Sequence, residues 1–353
     1  GRHAPRAAWK YGWWQYKLGD AFAEAADAFE RGSLYAPRSD YRPAWLYWAG
    51  RSRENLGQHD QAAMLYRIAI TDYRHSYYGR LAQQRLQQVT TDVQTVPSDA
   101  LARVEQASPG SARTSNSALA DIIQRLLVAG LWDEAILEIE DHERTAGASA
   151  ELTATLAYAY AQKGDLRRGI VLMKRAYPQY LAEGGEQLPR EILEVIFPVA
   201  HWDLIRKQSA SKKLDPYLVA ALVAQESTFD EDARSSANAR GLMQIMPATG
   251  RRLARAEKVA RFTVARLNEP ELNVRLGTRY LASLVERFGE LHFALASYNA
   301  GESRVVRWRA ERPGLAAEEF IDDIPFPETQ NYVKKIIGTA ADYRTLYPNR
   351  SGE

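Results

Sequence analysis

The chain has 353 residues and no cysteine. That excludes disulfides, thiolate metal sites and a cysteine nucleophile. Its six histidines are scattered without ligand spacing. His201 and His292 read as surface or packing residues, and no metal is expected. An excess of one charge is also missing. The 46 lysines and arginines face 44 aspartates and glutamates, a formal net charge of +2, which offers no electrostatic argument for nucleic acid. No run approaches the roughly eighteen apolar residues that a membrane helix needs. No alternating strand pattern of useful length appears, and at most a small hairpin is expected near residues 235–245. What remains is helical periodicity punctuated by glycine, in a chain long enough for two or three domains.

The amino-terminal half reads as helical hairpins. Gly57 leads to Ala62, Gly130 to Ala135 and Gly164 to Gly169, each five positions on, and Gly19 leads to Ala25. From Gly130 to Gly164 is the tetratricopeptide period. Small residues at such points let paired helices approach, and stacked hairpins bury their apolar sides only against neighbours. Trp9, Trp13, Trp14, Trp45, Tyr47 and Trp48 recur at helical spacing and read mainly as interhelical packing. Residues 90–117 break the pattern, with one short helix expected near Ala100–Gln106. A second break at Glu183-Gly184-Gly185-Glu186 precedes a short helix at 190–196, and the boundary is placed near Phe197-Pro198. In the rest of the chain, Leu272, Leu276, Tyr280, Leu284 and Phe288 form one stripe between Pro270 and Gly289. Val333, Ile336, Ile337 and Ala340 mark the last helix.

Chemistry enters at Glu226. Asp215-Pro216 reads as a helix start, with aspartate as cap and proline at the first helical position. Leu218, Leu222 and Glu226 then recur at four-residue spacing beside Val219 and Val223, so the glutamate shares the apolar face. An apolar wall disfavours the carboxylate and raises its pKa by roughly one to two at a partly open site. Such an acid can donate a proton near neutrality. The competing reading is a helix-end glutamate facing solvent or an arginine partner.

Four ordered segments carry a family resemblance. They are Ala221–Phe229 (ALVAQESTF), Gly241–Thr249 (GLMQIMPAT), Ala296–Gly301 (ASYNAG) and Ile324–Val333 (IPFPETQNYV). Over roughly residues 197–353 the chain resembles the soluble lytic murein transglycosylases. The amino-terminal half resembles their helical superhelix in style only. The resemblance implies an all-α chain: a helical-repeat, tetratricopeptide-like superhelix over 1–196, then a lysozyme-like catalytic domain over 197–353. It implies cleavage of the bond from N-acetylmuramic acid to N-acetylglucosamine without water, leaving a 1,6-anhydro end, and no cofactor.

By the same resemblance, Glu226 is the single catalytic acid and then base, and Ser235 orients the acetamido group. Gln244 and Met246 line the sugar cleft. Tyr298 lies close to the acid with Asn299 in the same strip, and Glu328 and Tyr332 belong to the late cleft motif. Competing readings are core filling for Gln244 and Met246, a packed aromatic for Tyr298 and a first-turn charge for Glu328. Asp230, Glu231 and Asp232 read as solvated loop charges. The family follows its Tyr-Asn-Ala-Gly with a small pair, whereas Glu302-Ser303 stands here and adds a charge near the cleft. The implied partners are peptidoglycan strands, with other cell-wall proteins as an alternative for the superhelix. The implied location is periplasmic, with no export signal in Gly1-Arg2-His3. A hydrolytic muramidase and an inactive glycan-binding scaffold are the rival functions.

Overall fold

The computed structural model describes residues 3–89 and 117–348. The short helix expected near Ala100–Gln106 lies outside them. The described residues are helical, with two isolated antiparallel bridges, Arg234 to Arg240 and Arg240 to Ile245, where a hairpin was expected. They divide into two compact units. One is Gly1–Ala159 with Leu172–Leu193; the other is Tyr160–Val171 with Glu194–Glu353.

In the first unit, helices α1 (Ala4–Leu18), α2 (Phe22–Tyr35), α3 (Arg42–Asn55), α4 (His59–Tyr73) and α5 (Tyr77–Val89) pack in sequence order. Their shared core is aromatic. Trp9, Trp13, Phe29, Trp45, Tyr47, Trp48 and Tyr66 are all buried, while Trp14 is 58% exposed. Gly50 sets the approach of α3 to α4, because a methyl group there would collide with the Tyr66 ring. The chain then continues through α6 (Ser117–Val128) and α7 (Trp132–Ala146). The glycine pattern has its physical reason. Gly57 and Gly130 turn the chain at φ +72° and +73°, and the alanines five residues on, Ala62 and Ala135, are fully buried.

Helices α8 (Ala150–Lys163) and α9 (Leu166–Ala176) meet at the Gly164 turn, which groups with the second unit. After α10 (Arg190–Ile196) come α11 (Trp202–Ser211), α12 (Pro216–Ser227), α13 (Pro247–Ala256), α14 (Pro270–Phe288), α15 (Leu291–Ala300), α16 (Glu302–Glu311), α17 (Ala317–Asp323) and α18 (Pro327–Leu346). Helix α12 packs along α18. At one end the Tyr217 hydroxyl donates to the Tyr347 carbonyl, and Arg344 pairs with Asp215. The hydroxyls of Tyr343 and Tyr347 donate to the carbonyls of Pro198 and Phe197 at 2.7 and 2.9 Å. Since the start of α12 meets the end of α18, the two run antiparallel. The end of α12 must therefore meet the start of α18.

Candidate active site

Asp215 caps α12 as expected, its Oδ1 accepting from the Tyr217 amide at 2.9 Å. Eleven residues later the helix delivers Glu226 to its last turn. Leu222 and Val223, one turn back, are fully buried, and Phe229 is buried just beyond. The chain leaves α12 through two consecutive left-handed residues, Thr228 at φ +54° and Phe229 at φ +63°. For a β-branched threonine that costs about 1–2 kcal/mol. The tight exit keeps the next segment folded back behind the glutamate.

That segment, residues 230–246, is pinned by side chains from three helices. Fully buried Asn273 of α14 accepts from the Met243 amide at 2.8 Å and donates to the carbonyls of Arg240 (2.9 Å) and Leu267 (2.5 Å). Ser227 Oγ of α12 donates to the Leu242 carbonyl at 2.9 Å. Tyr298 of α15 donates its hydroxyl to the Met243 carbonyl at 2.8 Å. Gly241 is forced by its setting. It sits at φ +71°, and a Cβ would collide with the Leu267 carbonyl oxygen and the Asn273 side chain.

Opposite the segment, α18 presents Tyr332. Its hydroxyl donates to Glu226 Oε1 at 2.6 Å. Burial raises the Glu226 pKa from 4.5 to about 7, opposed by the Tyr332 hydrogen bond and helped by the negative charge of Glu328. The rise exceeds the sequence expectation because burial, the largest cause, outweighs the Tyr332 hydrogen bond, with Glu328 adding the least. Tyr298 and Tyr332 are themselves held far above the usual phenol range, first by burial and then by the Glu226 charge. Both phenols therefore stay protonated and serve as donors.

A cleft of about 770 Å³ opens on the other side of the glutamate. Glu226, Ser235 and Gln244 line it together with Asp230, Arg234 and the turn Gly164–Arg167. Ser235 Oγ accepts from the Ala239 amide at 3.0 Å, which leaves its own proton for a ligand. Gln244, at φ +45°, donates Nε2 to the carbonyls of Ala233 and Gly241, which leaves its amide oxygen as the free acceptor.

Other expected residues fall at varying distance from this cleft. Met246 is 43% exposed at the cap of α13 and is not among the lining residues. Asn299 Oδ1 accepts from Thr329 Oγ1 at 2.6 Å and so ties α15 to α18. Glu328 is exposed in the first turn of α18, with its charge felt at Glu226. Tyr332 hydrogen-bonds the acid, and Tyr298 stands close enough for the Glu226 charge to act on it. The charge of Glu302 is taken up by Arg287. His292 is buried against Phe293 and Phe320, a packing histidine.

Sequence reasoning did not assign several lining residues to the cleft, Arg234, Asp230, Asp165 and Arg167 among them. Asp230 is exposed, as expected of a loop charge, but it also lines the cleft. Asp165 and Arg167 come from a helical-hairpin turn some sixty residues before Glu226, and no motif flagged them.

With this geometry in place, residues 203–321 match the family model described as the transglycosylase SLT domain. That stretch contains Glu226, Ser235, Gln244 and Tyr298 and is similar to such domains. Around it, 155 residues are 36% identical to the soluble lytic murein transglycosylase of Escherichia coli K12, spanning 43% of this chain and 24% of that protein. A transglycosylase of Enterobacteria phage PRD1 is 34% identical over 110 residues, 31% of this chain and 38% of the phage protein. Among solved structures, an inactive glutamate-to-glutamine mutant of the lytic transglycosylase Slt from Pseudomonas aeruginosa covers 93% of this chain with 49% of its own, at TM-score 0.67 and 26% identity. The 70 kDa soluble lytic transglycosylase of Escherichia coli gives TM-score 0.65 at 23% identity, a likeness of fold. The matches thus span about a quarter of the Escherichia coli K12 protein and about half of the two solved chains. Likeness over 93% of the chain reaches well beyond the SLT domain into the helical hairpins and agrees with the all-α architecture expected from sequence.

Proposed function

We propose that this chain cleaves peptidoglycan between N-acetylmuramic acid and N-acetylglucosamine as a lytic transglycosylase. The observation that carries the reading is Glu226: one carboxyl group, protonated up to about pH 7 and hydrogen-bonded by Tyr332, lining a cleft of about 770 Å³. The amino-terminal superhelical part (1–196) and the catalytic part (197–353) are the proposed domains. Peptidoglycan strands are the proposed partner, with other cell-wall proteins on the superhelical part, and the periplasm is the proposed location.

The chemistry follows from the pKa. Protonated Glu226 gives its proton to the glycosidic oxygen, and the bond to the anomeric carbon breaks with its electron pair on that oxygen. The substrate's N-acetyl oxygen stabilises the positive charge at the anomeric carbon, a substrate-assisted route. Ser235, with a free hydroxyl proton, suits the task of holding that acetamido group. Glu226 is now a carboxylate, and the Tyr332 donor stabilises it. It then takes the proton from the C6 hydroxyl of the same sugar, whose oxygen closes on the anomeric carbon. No water is consumed and Glu226 ends protonated again. Met246 and Asn299 are proposed to contact sugar further along the cleft, and Glu328 to keep Glu226 protonated.

Hydrolysis is the second reading, because Asp230 lines the same cleft and the Glu328 charge reaches Glu226. Either could serve as the second carboxylate of a muramidase. Mass spectrometry of digested peptidoglycan separates the two. The transglycosylase reading requires muramic ends lighter by one water than hydrolytic ends. Hydrolytic ends would overturn it.

A further inference from the structure

Many cations among the described residues are ion-paired. Arg53 meets Glu30 and Asp27, Arg312 meets Asp323, and Arg266 meets Glu269. The stretch from α13 into the following turn is different. Arg251, Arg252, Arg255, Lys258 and Arg261 are all exposed, and none has an ion pair among the described residues. The one acid among them, Glu257, lies within reach of Lys212 (3.6 Å), Arg275 (3.0 Å) and Arg279 (3.6 Å), and these hold its carboxyl below the usual range despite partial burial. Its charge is therefore spent inward.

Helix geometry gathers the five. Gly250, Leu253 and Ala254 are the buried face of α13, so Arg251, Arg252 and Arg255 occupy the opposite face. Lys258 and Arg261 sit at φ +51° and +50°, where glycine would be less strained, yet long cationic side chains stand there. Along the chain the patch starts close to the cleft-lining Gln244. Met246 caps α13 two residues after Gln244, and the Arg252 guanidinium lies 5.7 Å from the Tyr280 ring centre. Tyr280 packs on Tyr298 at 5.2 Å, and the Tyr298 hydroxyl holds the Met243 carbonyl.

We propose that this face of α13 and its following turn is a docking surface, outside the cleft, for the carboxylates of peptide substituents on peptidoglycan. The proposal rests on the glycan-cleaving reading and adds that the substrate is a peptide-bearing strand, gripped beside the cleft as well as in it. Arginine favours this occupant because its planar fork pairs bidentately with carboxylate. A lipid surface fits less well. A helix lying on a bilayer turns large apolar residues toward it, whereas the leucine of α13 faces the protein core.

The test uses the full chain carrying Glu226→Gln, so that binding is read without cleavage. Cosedimentation with insoluble peptidoglycan is compared with binding to glycan strands stripped of peptide by an amidase. Arg251→Glu with Arg255→Glu is expected to weaken binding to the peptide-bearing polymer about tenfold, with less than about a twofold change on the stripped glycan. Raised salt should abolish the difference, and Arg251→Lys with Arg255→Lys should keep only part of the binding, because lysine retains the charge without the bidentate fork. Unchanged binding to peptide-bearing polymer, or equal loss on both polymers, overturns the proposal. So does a charge-reversal defect confined to anionic phosphatidylglycerol vesicles. A failed catalytic reading shows separately, as cleavage that survives Glu226→Gln.

Discussion

Replacing Glu226 by glutamine should both disable the chain and stabilise it, with a pH dependence that the site dictates. In the unfolded chain this side chain ionises near 4.5; in the folded chain it holds its proton to about 7. Below pH 4.5 it is neutral in both states and contributes no penalty. Between 4.5 and 7 the folded state binds more protons than the unfolded one, so stability falls as pH rises. Above 7 the full cost of a carboxylate facing Leu222, Val223 and Phe229 is present. Moving an acid from 4.5 to about 7 corresponds to about 3 kcal/mol, and because the cleft is open to water, about 2 kcal/mol is the working figure. Glutamine keeps the shape, can accept from Tyr332 through its amide oxygen, and never ionises. The variant's melting temperature should therefore match the parent's near pH 4 and exceed it by about 4–8 °C at pH 8. Thermal melts followed by circular dichroism across that range read the difference, and every other titrating group cancels between the two chains. Peptidoglycan cleavage should fall about 10²–10⁴-fold. Parallel melting curves at all pH values would refute the buried-acid argument, and a variant that digests peptidoglycan at the parental rate would refute the catalytic one.

Tyr332→Phe removes the hydrogen bond from the phenol to Glu226, one that holds its pKa down. The alkaline limb of the pH–rate profile should move to higher pH by roughly half to one unit, with kcat about tenfold lower; an unmoved limb would count against the contact. Asn273→Leu leaves the Met243 amide and the carbonyls of Arg240 and Leu267 unpartnered in a buried place. It should cost about 3–5 kcal/mol in urea denaturation and lower kcat by loosening the segment behind Glu226. Gly241→Ala combines a left-handed backbone with a collision against backbone oxygen. It should lower stability by at least about 3 kcal/mol, read as a melting shift of several degrees.

Much of this was legible in residue spacing. The Asp215-Pro216 start, the Leu218–Leu222–Glu226 stripe, the Pro270–Gly289 helix and the glycine turns are local rules, obeyed within one or two turns of chain. They determined an all-helical protein with repeats first and a lone acid on an apolar helix face. Tertiary structure alone decided what surrounds that acid. Antiparallel packing of α12 on α18 selected Tyr332, 106 positions away, as the residue that touches it. The Gly164 turn supplied Arg167 to the cleft, and pairing of Glu257 with Lys212, Arg275 and Arg279 took up the one acid beside the α13 arginines. Spacing along a chain reports which side chains share a face of one helix. Which faces meet, and hence which charges and donors set a pKa, depends on packing between elements distant in sequence.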